Sequence, residues 1–330
     1  MKLLYMGTPD IAAHCLEEIL NQPQHTVCGV FTREDKPQGR KQVLTAPPVK
    51  QVALAHGIPV WQPKTLRDGE AARTIAALSP ELIVVVAYGR ILPPEVLELA
   101  RYGAINLHVS LLPKYRGAAP MQWAIINGDT QTGVSVMQLD AGLDTGDVID
   151  CLPISIDPDE TMGELFEKVA GVGAPFLCKV MDTIAAGTAT HTPQNHALAC
   201  SAPPLTKEMA LFSFAKDAKT LHNLIRGMNP WPVAYFMHAG KKIKVLRSRY
   251  VPVEENKAET PCARDMAHGK NAAAMQNAPA QPGTVLCTKP LTVACQSGAL
   301  VLEALVPEGS RPMEGTAWSA GCRFKTGDML

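Results

Sequence analysis

The sequence predicts a doubly wound α/β domain with a mostly parallel, Rossmann-like sheet, followed by a smaller C-terminal β-barrel of OB-fold-like build. Three observations predict this class. Strand and helix signals alternate over residues 1–150, the pattern of a parallel sheet covered by helices. The stretch "ELIVVVA" at 81–87 is a continuous apolar run, expected of a strand buried on both faces. Beyond residue 204 the composition changes, and residues 205–250 hold nine Lys or Arg against two acids. A length of 330 residues suits two domains, and 46% hydrophobic residues supply a core.

Each element follows in order. "KLLYM" at 2–6 reads as the first strand. "GTPDIAAHCLEEIL" at 7–20 reads as a helix with Thr8 as its cap, Pro9 at its first position and Asp10 at its positive end. "TVCGVF" at 26–31, "GAINLH" at 103–108 and "TGVSVMQL" at 132–139 read as further strands. Residues 160–187 read as one amphipathic helix, with Leu165, Val169, Phe176, Val180 and Ile184 near helical spacing. These boundaries give a first domain over 1–187, a linker over 188–207 and a second domain over 208–330. Within the second domain a short helix is expected at 217–227. "VAYFMHAG" and "KKIKVLRSRYV" read as strands around a turn, and residues 283–307 as three short strands. Residues 254–282, rich in Ala, Asn, Gln and Pro, read as a mobile segment.

Charge and cysteine usage narrow the functions. Formal net charge is zero, so a nucleic-acid partner must be met by a local patch. Residues 205–250 supply such a patch, with Lys241, Lys242, Lys244, Arg247 and Arg249 crowded on one expected hairpin. Residues 33–50 add Arg33, Lys36, Arg40, Lys41 and Lys50, most simply a solvated loop. Residues 136–165 carry eight acids and no Lys or Arg, so the neutral total hides a polar charge map. No basic segment followed by a long apolar run opens the chain, and no run reaches membrane-span length. The nine cysteines are scattered without a CxxC pair. That favours reduced thiols and a cytoplasmic protein over a disulfide framework or a zinc site, and no metal is expected. The oligomeric expectation is a monomer. "MGTPDIAA" at 6–13 follows a strand and opens a helix but lacks Gly-x-Gly-x-x-Gly, which argues against a dinucleotide-binding dehydrogenase.

The chemistry centres on "INLHVSLLP" at 105–113. Asn106 and His108 lie two residues apart in a strand, so they share a face at its carboxyl end, where ligands bind in such sheets. A second stretch, "LDAGLDTGDVI" at 139–149, alone reads as an acidic turn. It also offers Asp144 on a Gly-flanked loop after another strand, and a carboxylate beside a histidine fixes its tautomer and raises its basicity. Asn, His and Asp converging without a nucleophilic elbow suggest acyl or formyl transfer to an external nucleophile. Ser110 is not in a Gly-x-Ser-x-Gly setting.

"INLHVSLLPKYRGAAPMQWAI" and "MQLDAGLDTGDVI" closely resemble the formyltransferases that use 10-formyltetrahydrofolate. "MGTPDIAAHCLEEIL", "GVFTREDKPQGRKQVLTAPPVK", "VVVAYGRILP" and "IRGMNPWPVAYF" extend the resemblance, in the same order, to the branch that acts on an aminoacylated tRNA. It covers roughly 1–250 strongly and 283–330 weakly. The resemblance implies Asn106, His108 and Asp144 as catalytic residues. It implies a folate pocket at Ser110, Leu111, Leu112 and Pro113, lined further by Tyr88, Gly89 and Asp140. It implies a formyl group passing to the α-amine of methionine on initiator tRNA, with tetrahydrofolate released. It also places the loop of Arg40 and Lys41 against the acceptor stem, with the basic block on the tRNA backbone. "NPWP" at 229–232 separates this branch from relatives that formylate a nucleotide or sugar amine, the alternative function. Two departures stand out: "LFSFAK" at 211–216 replaces an Ile-Asp-Trp-like tripeptide, and the 254–282 stretch is long.

Overall fold

The computed structural model describes residues 1–39, 42–252 and 280–330. Arg40, Lys41 and nearly all of the 254–282 segment therefore lie outside the described residues. The chain forms two compact units. The first comprises Met1–Pro120, Gln131–Ser155 and Phe166–Pro203; the second comprises Met121–Thr130, Ile156–Leu165 and Pro204–Leu330. Among the described residues no helix is long and apolar enough to cross a membrane.

In chain order the elements begin with β1 (Lys2–Gly7), α1 (Asp10–Leu20), β2 (Thr26–Phe31), β3 (Lys36–Gln38), β4 (Val43–Thr45), α2 (Pro48–Ala55) and β5 (Val60–Trp61). They continue with α3 (Glu70–Leu78), β6 (Leu82–Val86), α4 (Pro94–Leu97), β7 (Ala104–His108), β8 (Arg116–Gly117), α5 (Pro120–Ile126), β9 (Gln131–Gln138), β10 (Val148–Ser155), α6 (Met162–Ala185) and β11 (Ser201–Ala202). Seven strands form one sheet in the order β10-β9-β7-β6-β1-β2-β5. Only β9 runs against its neighbours, so the sheet is mostly parallel. All five residues of β6 are buried, as its unbroken apolar run requires.

The chain moves outward from β1 through β2 to β5 and then returns to β6 and β7. The strand order therefore switches direction between β1 and β6, the place where such sheets bind ligands. There Thr8 Oγ1 donates to the Tyr88 carbonyl at 3.1 Å. This corrects the expected cap of α1: Thr8 bridges two loops, and Pro9 itself occupies the cap position in extended backbone, with no side-chain cap. β10, absent from the sequence reading, is an edge strand carrying Pro153, where a missing N–H costs no ladder bond. The stretch read as a linker carries structure. Thr192 and Val148 exchange backbone hydrogen bonds at 2.9 Å each, residues His196–Leu198 form a 3₁₀ turn, and β11 pairs in parallel with β8.

The second unit holds α7 (Ala218–Gly227), β12 (Tyr235–His238), β13 (Lys241–Val251), β14 (Val285–Thr288), β15 (Leu291–Ala294), β16 (Ala299–Pro307), β17 (Met313–Glu314) and α8 (Gly315–Cys322). Asp217 caps α7 by accepting the Thr220 N–H at 3.0 Å. The antiparallel sheet runs β12-β13-β16-β15-β14, with β17 added to β16. Among the described residues no ladder joins β12 to β14. Phe212 and Phe214, from the divergent "LFSFAK" stretch, pack with Phe236 and Trp318 in one aromatic cluster. Within this unit α7 passes so close to α5 that a Cβ at Gly227 would lie 2.7 Å from Ile126 Cγ1. His222 on α7 sits buried between the Pro158 carbonyl and the Ser248 hydroxyl, each at 3.1 Å.

Candidate active site

Alternation along β7 decides which of its side chains share a face. Ala104 lies in the core cluster with Ile83, Val85 and Val96. Leu107 turns the other way, since a Cβ at Gly173 of α6 would stand 3.6 Å from its Cδ2. Asn106 and His108 therefore share the face of Ala104, at the strand's carboxyl end. Asn106 pairs with Val85 and Met137, and His108 with Ser135. The Asn106 side chain is half-buried and is engaged by no group among the described residues, so its amide is free to donate.

His108 is 5% exposed, and its Nε2 stands 2.9 Å from the Tyr115 carbonyl oxygen. A carbonyl only accepts, so Nε2 carries the proton and Nδ1 presents its lone pair in the neutral ring. Nδ1 faces Asp144 Oδ2 at 3.7 Å. Burial pushes the His108 pKa below its ordinary 6.5, against the opposing effects of the Asp144 charge and the Tyr115 carbonyl. The imidazole is thus neutral near pH 7, with its basic nitrogen beside a carboxylate.

Asp144 takes a left-handed backbone, φ 54°, which Asp tolerates better than most residues. Its Oδ2 accepts the Gly117 N–H at 2.8 Å. Gly117 has φ 121°, and a Cβ there would sit 2.8 Å from the Ala202 carbonyl oxygen, so that N–H is delivered by a glycine for steric reasons. Asp140 shapes the same loop, its Oδ1 accepting from Gly142 N at 2.9 Å and Thr145 Oγ1 at 2.7 Å. From the supposed linker, Gln194 donates to the carbonyls of Asp144 and Gly146. Sequence reasoning missed Gln194, Tyr115 and Gly117 as parts of this site, because each acts through long-range contacts that leave no local pattern.

The expected folate residues divide. Leu111, Leu112 and Pro113 are half-buried and offer apolar surface; Gly89 and Asp140 are exposed. Ser110 is fully buried and donates to the Lys114 carbonyl at 2.7 Å, so it is a loop brace and not a nucleophile. The Tyr88 ring belongs to the core, its hydroxyl has no partner among the described residues, and burial pushes its pKa up to about 12. Ser110 and Tyr88 can meet a ligand through backbone groups alone. Cys200 Sγ accepts the Tyr115 N–H at 3.2 Å. Among the described residues no group of three or more His, Cys, Asp or Glu is placed to hold a metal ion.

The basic hairpin also divides. Arg247 pairs with Glu164, and Arg249 Nε lies 3.6 Å from Glu303. Lys242 Nζ stands 4.1 Å from the Tyr235 ring centroid, and Lys241 and Lys244 are exposed. Among the described residues these three lysines make no ion pair.

An unengaged amide, a neutral histidine and a nearby carboxylate lie at the carboxyl ends of strands in a mostly parallel sheet, the end at which such sheets bind ligands. The formyl transferase family matches residues 1–181, and its C-terminal domain matches residues 204–323. The chain belongs to the formyl transferase family. A methionyl-tRNA formyltransferase of Geotalea uraniireducens (strain Rf4) is 40% identical over 332 residues, covering 100% of this chain and 98% of that protein. Another, of Clostridioides difficile (strain 630), is 45% identical over 257 residues, covering 78% of this chain and 83% of that protein. The fold is shared with WlaRD, a sugar 3N-formyl transferase solved with dTDP and 5-N-formyl-THF. Its TM-score is 0.64 at 17% identity, covering 94% of this chain and 99% of that one. It is shared too with an N-formyltransferase of Helicobacter canadensis in complex with folinic acid and dTDP-3-aminofucose, at TM-score 0.59 and 22% identity over 76% and 88% of the chains.

Proposed function

We propose that this chain transfers the formyl group of 10-formyltetrahydrofolate to the α-amino group of methionine carried by initiator tRNA. The observation that carries the chemistry is the buried His108, with Nε2 tied to a carbonyl and Nδ1 turned toward Asp144. The relatives that match the whole chain supply the choice of substrate.

An α-amine has a pKa of about 7.7–8.0, and esterification of its carboxyl lowers it, so much of the amine is already neutral near pH 7. The protein's task is to hold that amine against the formyl carbon and manage charge and proton. Asn106 donates its amide N–H to the formyl oxygen as attack makes it an oxyanion, a contact typically worth about 10²–10³ in rate. His108 accepts the amine proton at Nδ1, and Asp144 stabilises the resulting imidazolium. The proton then passes to the departing amine nitrogen of the donor, which leaves as tetrahydrofolate. Such a positioned base contributes roughly 10²–10⁴. The half-buried Leu111–Pro113 surface and the backbone at Gly89 suit a flat heteroaromatic ring with hydrogen-bonding edges. Lys241, Lys242 and Lys244 supply phosphate contacts in this reading, and Arg40 and Lys41 flank the acceptor end. The protein works as a cytoplasmic monomer with reduced thiols.

The test is formylation by the purified protein with 10-formyltetrahydrofolate, offering Met-tRNA beside glycinamide ribonucleotide and an amino-sugar nucleotide. The proposal expects Met-tRNA to be the acceptor. Preferential formylation of either small amine would replace it with the alternative.

A further inference from the structure

We infer that Gln194 is a positioning residue of this reaction: its side-chain amide sets where the Asp144 carboxylate stands relative to His108. The inference rests on the Asp144–His108 reading above. Gln194 is 8% exposed. Its Nε2 donates to the Asp144 carbonyl at 3.0 Å and to the Gly146 carbonyl at 2.7 Å. Its Oε1 accepts from Arg116 Nε at 3.2 Å and Arg116 Nη2 at 2.7 Å. The orientation of the amide is fixed by chemistry, because carbonyls only accept and a guanidinium only donates. Both N–H groups and both lone pairs are engaged.

The placement matters more than the count. The two carbonyls flank Thr145, so the amide pins the turn that holds Asp144 in its left-handed conformation. On its other side the amide holds Arg116. The residue before Arg116 gives His108 its carbonyl partner, and the residue after it gives Asp144 its N–H. One side chain therefore ties together the two backbone segments that fix both members of the pair. Gln194 is itself fixed, because the nearby Thr192 is bridged to Val148, and His196 Nδ1 lies 3.0 Å from Arg116 Nη2. A shift of about 1 Å at a reacting group can cost roughly a hundredfold in rate.

The experiment compares steady-state kinetics of Gln194→Ala, Gln194→Glu, Asp144→Asn and the Gln194→Ala/Asp144→Asn pair on Met-tRNA. Gln194→Ala is expected to lower kcat about tenfold to a hundredfold, with the KM of each substrate within about twofold. Gln194→Glu still accepts from Arg116 but offers no N–H to the two carbonyls, so it should lose as much. The pair should be no slower than Asp144→Asn alone, since a displaced carboxylate and an absent one do the same harm. Wild-type turnover in either Gln194 variant overturns the inference. So does a rise in KM at unchanged kcat, or a loss that multiplies with Asp144→Asn. Normal turnover of Asp144→Asn would instead overturn the catalytic reading itself, which separates the two failures.

Discussion

Asp144 has three separable features: a charge facing His108, an oxygen accepting the Gly117 N–H, and a left-handed backbone. Asparagine keeps the second and third, since its side-chain oxygen accepts and it tolerates positive φ. Asp144→Asn should thus leave the thermal midpoint nearly unchanged while lowering kcat roughly 10²-fold or more, by analogy with a lost acid–base partner. Calorimetry beside single-turnover kinetics checks this, and a variant that melts early but turns over normally would give Asp144 a structural role alone. That Asn106 and His108 share a face was legible from their spacing. That Nδ1 is the nitrogen facing the carboxylate was not, because it depends on where the Tyr115 carbonyl, seven residues on, comes to rest.

At the scale of elements, the short β8 and β11 pair brings the Ala202 carbonyl against Gly117. A side chain there meets both a clash and an unfavourable φ, so Gly117→Ala should move the N–H away from Asp144. The expected result is a kcat loss of at least about tenfold with a lowered thermal midpoint; wild-type kinetics would show that the Gly117 contact is dispensable. The basic hairpin carries a different expectation. Arg247 and Arg249 are already balanced by Glu164 and Glu303, so Lys241, Lys242 and Lys244 should dominate tRNA contact. Neutralising the three lysines should flatten the log–log salt dependence of tRNA binding by about 0.7–0.9 per contact on the DNA-derived scale, and parallel slopes would exclude the hairpin from the interface. Long elements with one strong period were readable: "ELIVVVA" because burial on both faces forces an apolar run, and 160–187 because one helical face is covered. β10 was hidden by Pro153 and its half-exposed edge position. β8 and β11 are two residues each, too short for any periodicity.

For the molecule as a whole, acid should act first through histidines. Burial lowers the pKa values of His25, His108 and His222 from 6.5. As pH falls through about 6.5, the unfolded chain takes up protons that the folded chain refuses, so stability is lost from there down toward the folded pKa values. Below that, Glu164, whose pKa is lowered by the Thr161 N–H and then by Arg247, loses its contribution as pH falls through its folded value. The thermal midpoint should begin to drop between about pH 6.5 and 5.5, and His222→Gln, which can still bond to both neighbours, should shrink that drop. A flat midpoint over this range would show that the three rings titrate normally. The interleaving of the two units along the chain bears on synthesis. Residues 121–130 and 156–165 leave the ribosome long before residues 204–330, with which they form one unit. At about 5–20 residues per second residue 330 trails residue 165 by roughly 8–33 s. Through that interval Ile126 has no α7 to meet and the 156–165 segment has no His222 to accept from. Nascent chains arrested near residue 200 should be nicked by a protease first at these two stretches, and the released full-length chain should resist at both.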